Sequence, residues 1–90
     1  MRNHEQANET ETLLKAALSS YAHDAWGEWM RYLFSKSIRN SDGTVTIPAG
    51  LVKRWERQMD LFYHELPEEE QKSGMVEAEK MISLMHGFGF

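Results

Sequence analysis

Apolar side chains recur every three or four residues over a long stretch in the first half of the chain, which is the spacing that aligns them along one face of an α-helix. Thr10 and the acidic residue after it suit the first turn of that helix. We predict one long helix over residues 10–38, with a kink near Ser20 or Gly27 as the alternative. The predicted apolar stripe consists of Leu14, Leu18, Tyr21, Ala25, Trp29 and Leu33.

Turn and proline signals divide the rest of the chain. Asn40-Ser41-Asp42-Gly43 is typical of a tight turn, and the alternating β-branched residues after it predict an extended segment over 44–47, for which we find no second strand. Pro48 and Pro67 both suit the first turn of a helix. The sequence therefore predicts an all-α, three-helix bundle with helices over about 10–38, 48–63 and 67–86.

The two later helices also carry apolar stripes that we expect to face the bundle interior. The chain is a single domain over residues 1–90, in which the polar residues 1–9 are expected to be frayed and the tail 87–90 flexible. The stripe of the second helix is Leu51, Val52, Trp55, Met59 and Phe62, and that of the third is Met75, Ala78, Met81 or Ile82, and Met85.

Size and composition limit the core that a single chain can build. Ninety residues include only 18 Leu, Ile, Val and Phe, so six Met, three Trp and three Tyr supply much of the large apolar surface. A chain this short buries only about 60% of its unfolded surface. Because it carries more aromatic and methionine surface than it can readily hide, we expect a homo-oligomer with an adaptable contact surface.

Several functional classes are excluded at this stage. The chain has no cysteine, no apolar run of about 18–20 residues and no signal-peptide pattern at its polar start, so we expect a cytoplasmic protein that does not enter a membrane. The net charge of −4 is concentrated in residues 61–90. An acidic chain lacks the basic balance of a duplex DNA-binding protein.

The histidine and carboxylate residues of the chain do not follow a recognised metal-ligand spacing. His23, Asp24 and Glu28 lie near one another on the first helix, but they do not form a recognised set of three or four ligands. A group of glutamates later in the chain resembles in composition the carboxylates of metal-dependent nucleotide hydrolases. However, Glu68, Glu69 and Glu70 lie at a predicted helix start, where the helix dipole favours negative charge, and this explains them without a metal. We therefore predict no metal, no cofactor and no enzymatic activity, with a metal-dependent nucleotide hydrolase as the alternative. The group of glutamates comprises Glu68, Glu69, Glu70, Glu77 and Glu79.

Two groups of residues are candidates for contact with a partner. Lys53, Arg54 and Arg57 form a basic cluster, which is either a solvated face or, together with Arg31, Lys36 and Arg39, a surface for an anion. Phe88 and Phe90 lie in the tail and could fill a groove on another subunit. By contrast, we expect structural roles for Trp26, Trp29, Trp55, Met59, Tyr63 and Leu66. We expect the three tryptophans to lie in the core, and the alternative is that they form an aromatic wall for a ligand or a partner side chain.

Five short segments of the chain occur in an order that is shared with a known group of proteins. They are His23 to Met30, Trp55-x-x-Gln58, Tyr63 to Glu70, Lys72 and Glu77 to Lys80. Together these motifs, which cover residues 21–82, resemble small uncharacterised proteins of tailed phages and prophages. A shorter likeness, in the Tyr63-x-x-Leu66 segment before the acidic helix start, resembles part of the ryanodine-receptor repeat. Where such segments continue with Asp-Arg, this chain has Gly74-Met75, so a contact made by that pair would be absent here.

The resemblance implies a phage or prophage accessory protein and no reaction. We predict a non-enzymatic protein that binds a host or phage protein in the host cytoplasm, with interference in a host defence system as the concrete hypothesis. The alternative is a protein that sequesters a nucleotide or cyclic nucleotide between subunits, in which Lys53 and Arg57 would meet phosphate and an aromatic ring would stack on the base.

Overall fold

The computed structural model describes the backbone of residues 2–90 and the side chains of residues 8–90. Most of the chain is helical, which confirms the predicted class. Helix α1 spans Arg2–Lys36, α2 spans Ala49–Asp60 and α3 spans Glu68–His86. The second and third helices thus begin within a residue of the predicted positions, directly after Pro48 and Pro67, because proline suits a first turn but not a helix interior.

Helix α1 is longer than predicted at one end and shorter at the other. It starts at Arg2 rather than Thr10, and it runs without a break through Ser20 and Gly27. Good helix formers such as Glu, Gln and Ala precede Thr10, so the helix extends beyond the region of apolar periodicity. Most of the segment 1–9, which we expected to be frayed, lies outside the residues whose side chains the structure describes, so the fraying stays a prediction.

A small hairpin follows α1 and corrects the prediction that the chain has no second strand. Strand β1 (Ile38–Arg39) pairs antiparallel with β2 (Val45–Thr46), so the last predicted turn of the first helix is extended. The Asn40 side chain donates to the hydroxyl groups of Thr44 and Thr46 at 2.9 and 3.0 Å. These local bonds compete with the helix for the chain after Lys36.

The hairpin turn requires glycine. Gly43 has φ +89°, and the Asp42 carboxylate accepts hydrogen bonds from the backbone and hydroxyl of Thr44, which lower the pKa of Asp42. Nothing lies within 4 Å of a Cβ added at Gly43. A substitution here would therefore act through backbone strain alone.

Replacing Gly43 with alanine should lower the melting temperature, because a left-handed backbone costs a residue with a Cβ about 1–2 kcal/mol. Gly50→Ala is the matched control: Gly50 lies in α2 with open space around its Cα, so alanine should stabilise that helix by up to about 1 kcal/mol. Thermal unfolding by circular dichroism measures both variants. Equal shifts of the same sign would contradict this account of the turn.

Polar side chains join α1 to α3. The Tyr21 hydroxyl donates to the Glu77 carboxylate, and it lies 3.2 Å from the Glu77 carbonyl oxygen. Lys80 bridges from Glu77, at 3.3 Å, to Glu28 on α1, at 4.0 Å. On α1 itself, the predicted stripe residues Leu14, Leu18, Tyr21, Ala25 and Leu33 are half-buried, whereas Trp29 is exposed.

The connection between α2 and α3 is a single 3-10 turn, Tyr63–Glu65, held by its own hydrogen bonds. The ring of Tyr63 lies against Gly74, where an added Cβ would be 3.3 Å from the ring. Its hydroxyl donates to the Gln71 carbonyl at 3.2 Å, and the Gln71 amide donates to the Leu66 carbonyl at 2.9 Å. Gly74, which stands where the similar segments have Asp, thus gives Tyr63 room to lie on α3.

No side chain among residues 8–90 is fully buried, so this single chain encloses no core in its described part. Its accessible surface is 7522 Å², whereas a compact monomer of this mass exposes about 5,400 Å². The radius of gyration is 18.4 Å, against about 12 Å for a compact domain of this length. Helical structure is therefore established, and the closed bundle stays a prediction.

The predicted inward stripe of α3 lies largely in solvent, and that of the second helix does so at its end, which corrects the assignment of these residues to a core within the chain; Leu51, Val52 and Trp55 are half-buried. Met59 is 77% exposed and Phe62 is 74% exposed. On α3, Glu77 contacts α1 through Tyr21, and both Glu77 and Leu84 are half-buried. Most of the predicted apolar stripe of α3 is exposed. We call this stripe the α3 apolar face; it consists of Met75, Ala78, Met81, Ile82 and the half-buried Met85.

The tail forms turns at the end of α3. The backbone N–H groups of Phe88 and Phe90 both donate to the Met85 carbonyl, at 2.9 and 3.2 Å, and Gly89 has φ +88°. Phe88 is half-buried and Phe90 is 62% exposed. The predicted flexibility of residues 87–90 stays a prediction.

Candidate functional site

A groove of about 860 Å³ lies between α1, α2 and the start of α3. Pro67 positions its third wall, because the helix that begins there places successive acidic residues toward the groove. We call this site the acidic groove. Its lining residues are Ala25, Glu28, Trp29, Tyr32, Arg54, Trp55, Gln58, Leu66, Pro67, Glu68, Glu69, Glu70, Ser73 and Glu77.

Three aromatic rings form the apolar part of the acidic groove. Trp29 and Tyr32, three residues apart on α1, stack with their centroids 5.5 Å apart. Trp55 from α2 meets Trp29 edge-on at 5.9 Å and Tyr32 at 6.3 Å. Such tilted and offset arrangements are the ones that aromatic quadrupoles favour. The same contacts attach α2 to α1.

The predicted core position of the tryptophans is wrong for two of the three. Trp29 is 48% exposed in the groove, and Trp26 is 59% exposed, with the His23 ring 5.9 Å away. Trp55 is half-buried. Trp26 does not line the groove with Trp29 and Trp55, and the aromatic neighbour of its ring is His23 on the same helix.

Carboxylates dominate the charge of the groove. Five of its lining residues are glutamates and one, Arg54, is basic. Glu68 and Glu69 are exposed, and among the described side chains neither belongs to an ion pair. An anion in this groove would meet an excess of like charge, whereas a cation would meet opposite charge.

Glu70 is the most enclosed of these carboxylates and ties α2 to α3. Arg57 donates to one of its oxygens at 2.8 Å, and this hydrogen bond lowers the pKa of Glu70. The other oxygen is buried and has no hydrogen-bond partner among the described atoms. Arg57 therefore forms an ion pair within the chain, while its side chain stays 42% exposed.

The structure separates the five predicted contact residues. Arg54 lines the acidic groove, Arg57 pairs with Glu70, and Lys53 is exposed on α2. Phe88 and Phe90 lie at the far end of α3 and do not line the groove. The roles of all five in binding stay predictions.

Two cations of the predicted basic surface lie over aromatic rings. The Lys36 ammonium is 5.7 Å from the centre of the Tyr32 ring, and the Arg39 guanidinium is 5.4 Å from that of Phe34. Both distances suit cation–π attraction. The first of these contacts shows that a ring lining the acidic groove already accepts a cation.

Among residues 8–90, no three histidine or carboxylate side chains come together in a way that could hold a metal ion. His23, Asp24 and Glu28 remain on α1 without a ligating residue from another helix. No described helix is long and apolar enough to span a membrane.

The hydrogen bond between Tyr21 and Glu77 perturbs both groups. It raises the pKa of Tyr21 from 10.0 to about 12, and it lowers the pKa of Glu77, with Lys80 contributing in the same direction. A lowered acid pKa stabilises the fold above the ordinary glutamate range, and that contribution is lost as the pH falls through the lowered value. A raised tyrosine pKa stabilises the fold below 10.0, and that contribution is lost as the pH rises through about 12.

Replacing Tyr21 with phenylalanine should lower the melting temperature at neutral pH and flatten its fall in acid and in strong alkali, because the hydrogen bond between α1 and α3 is removed. Tyr32→Phe is the matched control, since the Tyr32 hydroxyl makes no hydrogen bond to the described residues. Melting curves across pH measure both variants. If the two variants and the wild type share one pH profile, Tyr21 does not link the helices.

Comparisons with protein families, with curated proteins and with solved structures find no match for this chain. The likeness to phage proteins and to the ryanodine-receptor repeat therefore stays a prediction. Sequence reasoning missed Tyr32 as a groove residue and assigned the glutamates at the start of α3 to helix stabilisation alone. The three-residue spacing of Trp29 and Tyr32 on α1 was the signal available for the first of these.

Proposed function

We propose that this protein is a non-enzymatic binding protein that acts as a homo-oligomer, in which the α3 apolar face packs against a second copy. The observation that carries the proposal is the lack of any fully buried side chain in residues 8–90, combined with wide exposure of large apolar groups. Met75 is 45% exposed and Ile82 is 52% exposed on one face of α3. Exposed contiguous apolar surface of this kind marks interaction sites in soluble proteins.

The accessible surface of the chain as a whole supports association with a second copy. The chain exposes 7522 Å², about 2,100 Å² more than a compact monomer of the same mass. A stable interface of standard size buries about 800 Å² on each partner. The excess is enough for such an interface, and association would complete the predicted helical bundle between subunits.

Methionine suits this role on α3. The face holds three of the six methionines, Met75, Met81 and Met85, whose unbranched side chains adapt to irregular surfaces. Two such faces related by a two-fold axis would be self-complementary, as in most homodimers. The rest of the molecule, including the acidic groove, would stay accessible for another partner.

The sequence resemblance supports a more specific role, that of a phage or prophage accessory protein that binds a host or phage protein, with inhibition of a host defence system as the concrete case. Nucleotide sequestration gains less support, because Arg57 is paired with Glu70 and the groove holds an excess of carboxylates. Lys53 and Arg54 remain as the cations of that alternative.

Sedimentation velocity over a wide range of protein concentration tests the self-association. We expect a dimer or larger species that dissociates on dilution, with loss of helical signal as the monomer forms, because the monomer encloses no core in its described part. A monomer at every concentration, with a cooperative thermal transition, would refute the proposal.

A further inference from the structure

We propose that the acidic groove binds an arginine-bearing segment of a partner protein, with the guanidinium group held between the aromatic rings and the carboxylates. This inference deepens the proposed function by naming the chemistry of its partner, and it rests on that function being protein binding. The site is distinct from the α3 apolar face, because no residue of that face lines the groove.

The aromatic rings offer accessible surface to such a group. Trp29 is 48% exposed and Tyr32 is 37% exposed, although both line a concave site. The ammonium group of Lys36 already lies 5.7 Å from the centre of the Tyr32 ring. Tryptophan and tyrosine are the strongest cation–π partners, and arginine is the cation that most often pairs with them.

The charge of the groove complements a guanidinium group. Glu70 is satisfied in part by Arg57, but Glu68 and Glu69 are exposed and belong to no ion pair among residues 8–90. The positive end of the α3 dipole is equivalent to about half an elementary charge, so it offsets only part of the charge of the three glutamates there. Glu68 and Glu69 therefore leave the groove negative beside its one basic lining residue, Arg54, and favour a cation.

Arginine fits this combination better than lysine. Its planar guanidinium stacks on aromatic rings and also donates two parallel hydrogen bonds to one carboxylate, whereas an ammonium group is a strongly hydrated point charge. The volume of about 860 Å³ lies at the upper end of the range for ligand pockets, about 300–1,000 Å³. A groove of this volume is large enough for a short peptide segment that carries the arginine, and not only for the arginine side chain.

Titration with a synthetic arginine-rich peptide tests the proposal, with calorimetry as the readout and tryptophan fluorescence beside it. The control peptide has citrulline in place of arginine, which keeps the shape and removes the charge. We expect binding of the arginine peptide and a loss of roughly tenfold or more with citrulline, since the neutral side chain loses both the charge-assisted hydrogen bonds and the cation–π attraction. Equal affinity for both peptides, or no binding of either, would overturn the proposal.

A pair of charge-matched variants locates the site. Glu68→Gln with Glu69→Gln should weaken binding roughly tenfold, because each change removes one of the unpaired carboxylates of the groove. Glu9→Gln with Glu11→Gln removes the same charge from α1 outside the groove and should leave the affinity near that of the wild type. Equal weakening by both pairs would mean attraction by net charge alone and would overturn the groove assignment.

Sedimentation of the same samples separates this inference from the proposed self-association. An oligomer that does not bind the arginine peptide would refute the groove proposal only. A monomer that binds the arginine peptide in a manner dependent on Glu68 and Glu69 would refute the self-association and support the groove.

Discussion

Replacing Met75 and Ile82 with glutamate should convert the protein from an oligomer to a monomer. Both side chains lie on the α3 apolar face and are about half exposed within one chain, at 45% and 52%. Each substitution removes roughly 1–2 kcal/mol of stabilisation that the apolar side chain gains when it is buried in the assembly. Each also adds a negative charge that repels the same charge on the other subunit. We expect association to weaken at least about a hundredfold, which corresponds to about 2.7 kcal/mol.

A matched control for this variant adds the same charge elsewhere. Ala16 and Ala22 are exposed on α1, away from the α3 apolar face, so their replacement with glutamate should leave the sedimentation of the protein unchanged. Circular dichroism should show lower helix content for Met75→Glu with Ile82→Glu and not for the control. Equal dissociation of both variants would indicate an effect of net charge and would contradict the assignment of α3 as the contact surface.

Replacing Trp55 with alanine should detach α2 from α1. Trp55 is the side chain of α2 that meets both Trp29 and Tyr32. A tryptophan ring buries about 150–250 Å², so at half burial its loss costs roughly 2–3 kcal/mol at about 25 cal/mol per Å². The melting temperature should fall accordingly, and the acidic groove should lose its affinity for the arginine peptide.

Trp26→Ala is the control for this change. Trp26 is 59% exposed, and its ring lies near that of His23, one turn earlier on the same helix, so its removal should cost much less stability. Thermal unfolding of both variants at one protein concentration measures the difference. If Trp26→Ala destabilises the protein as much as Trp55→Ala, the aromatic cluster does not hold α2 in place.

Local signals were sufficient to predict three helices and the starts of α2 and α3, but not the start of α1. Pro48 and Pro67 fixed the starts of α2 and α3, because proline constrains its own φ and the conformation of the residue before it. The hairpin was predicted in part. The Asp42-Gly43 turn and the extended segment that contains β2 were recognised, but β1 (Ile38–Arg39) has only two residues and is too short to show an alternation of its own.

Tertiary placement could not be predicted from the pattern alone. The methionine stripe of α3 was recognised as an apolar face, yet the structure directs Glu77 toward α1 and leaves Met75 and Ile82 exposed. Periodicity identifies which residues share a face and does not identify what covers that face. A hydrogen bond and ion-pair network between Tyr21, Glu77 and Lys80 decides the orientation here.

The acidic groove was out of reach for a similar reason. Its rings come from α1 and α2, and its carboxylates come largely from the start of α3, so it exists only after the helices have packed. In the sequence, Glu68, Glu69 and Glu70 are fully explained by the helix dipole. Their second role becomes visible only when Trp29 and Trp55 lie beside them.

The most direct test of the central claim is whether the α3 apolar face is covered in the assembled protein. The chain has no cysteine, so Ala78→Cys places a single thiol in the middle of that face, and Ser20→Cys places one at an exposed position on α1. With a thiol-reactive reagent, we predict that the Ala78→Cys thiol reacts slowly at high protein concentration and faster on dilution, while the Ser20→Cys thiol reacts fast at both. Fast reaction of both thiols at every concentration would contradict the account.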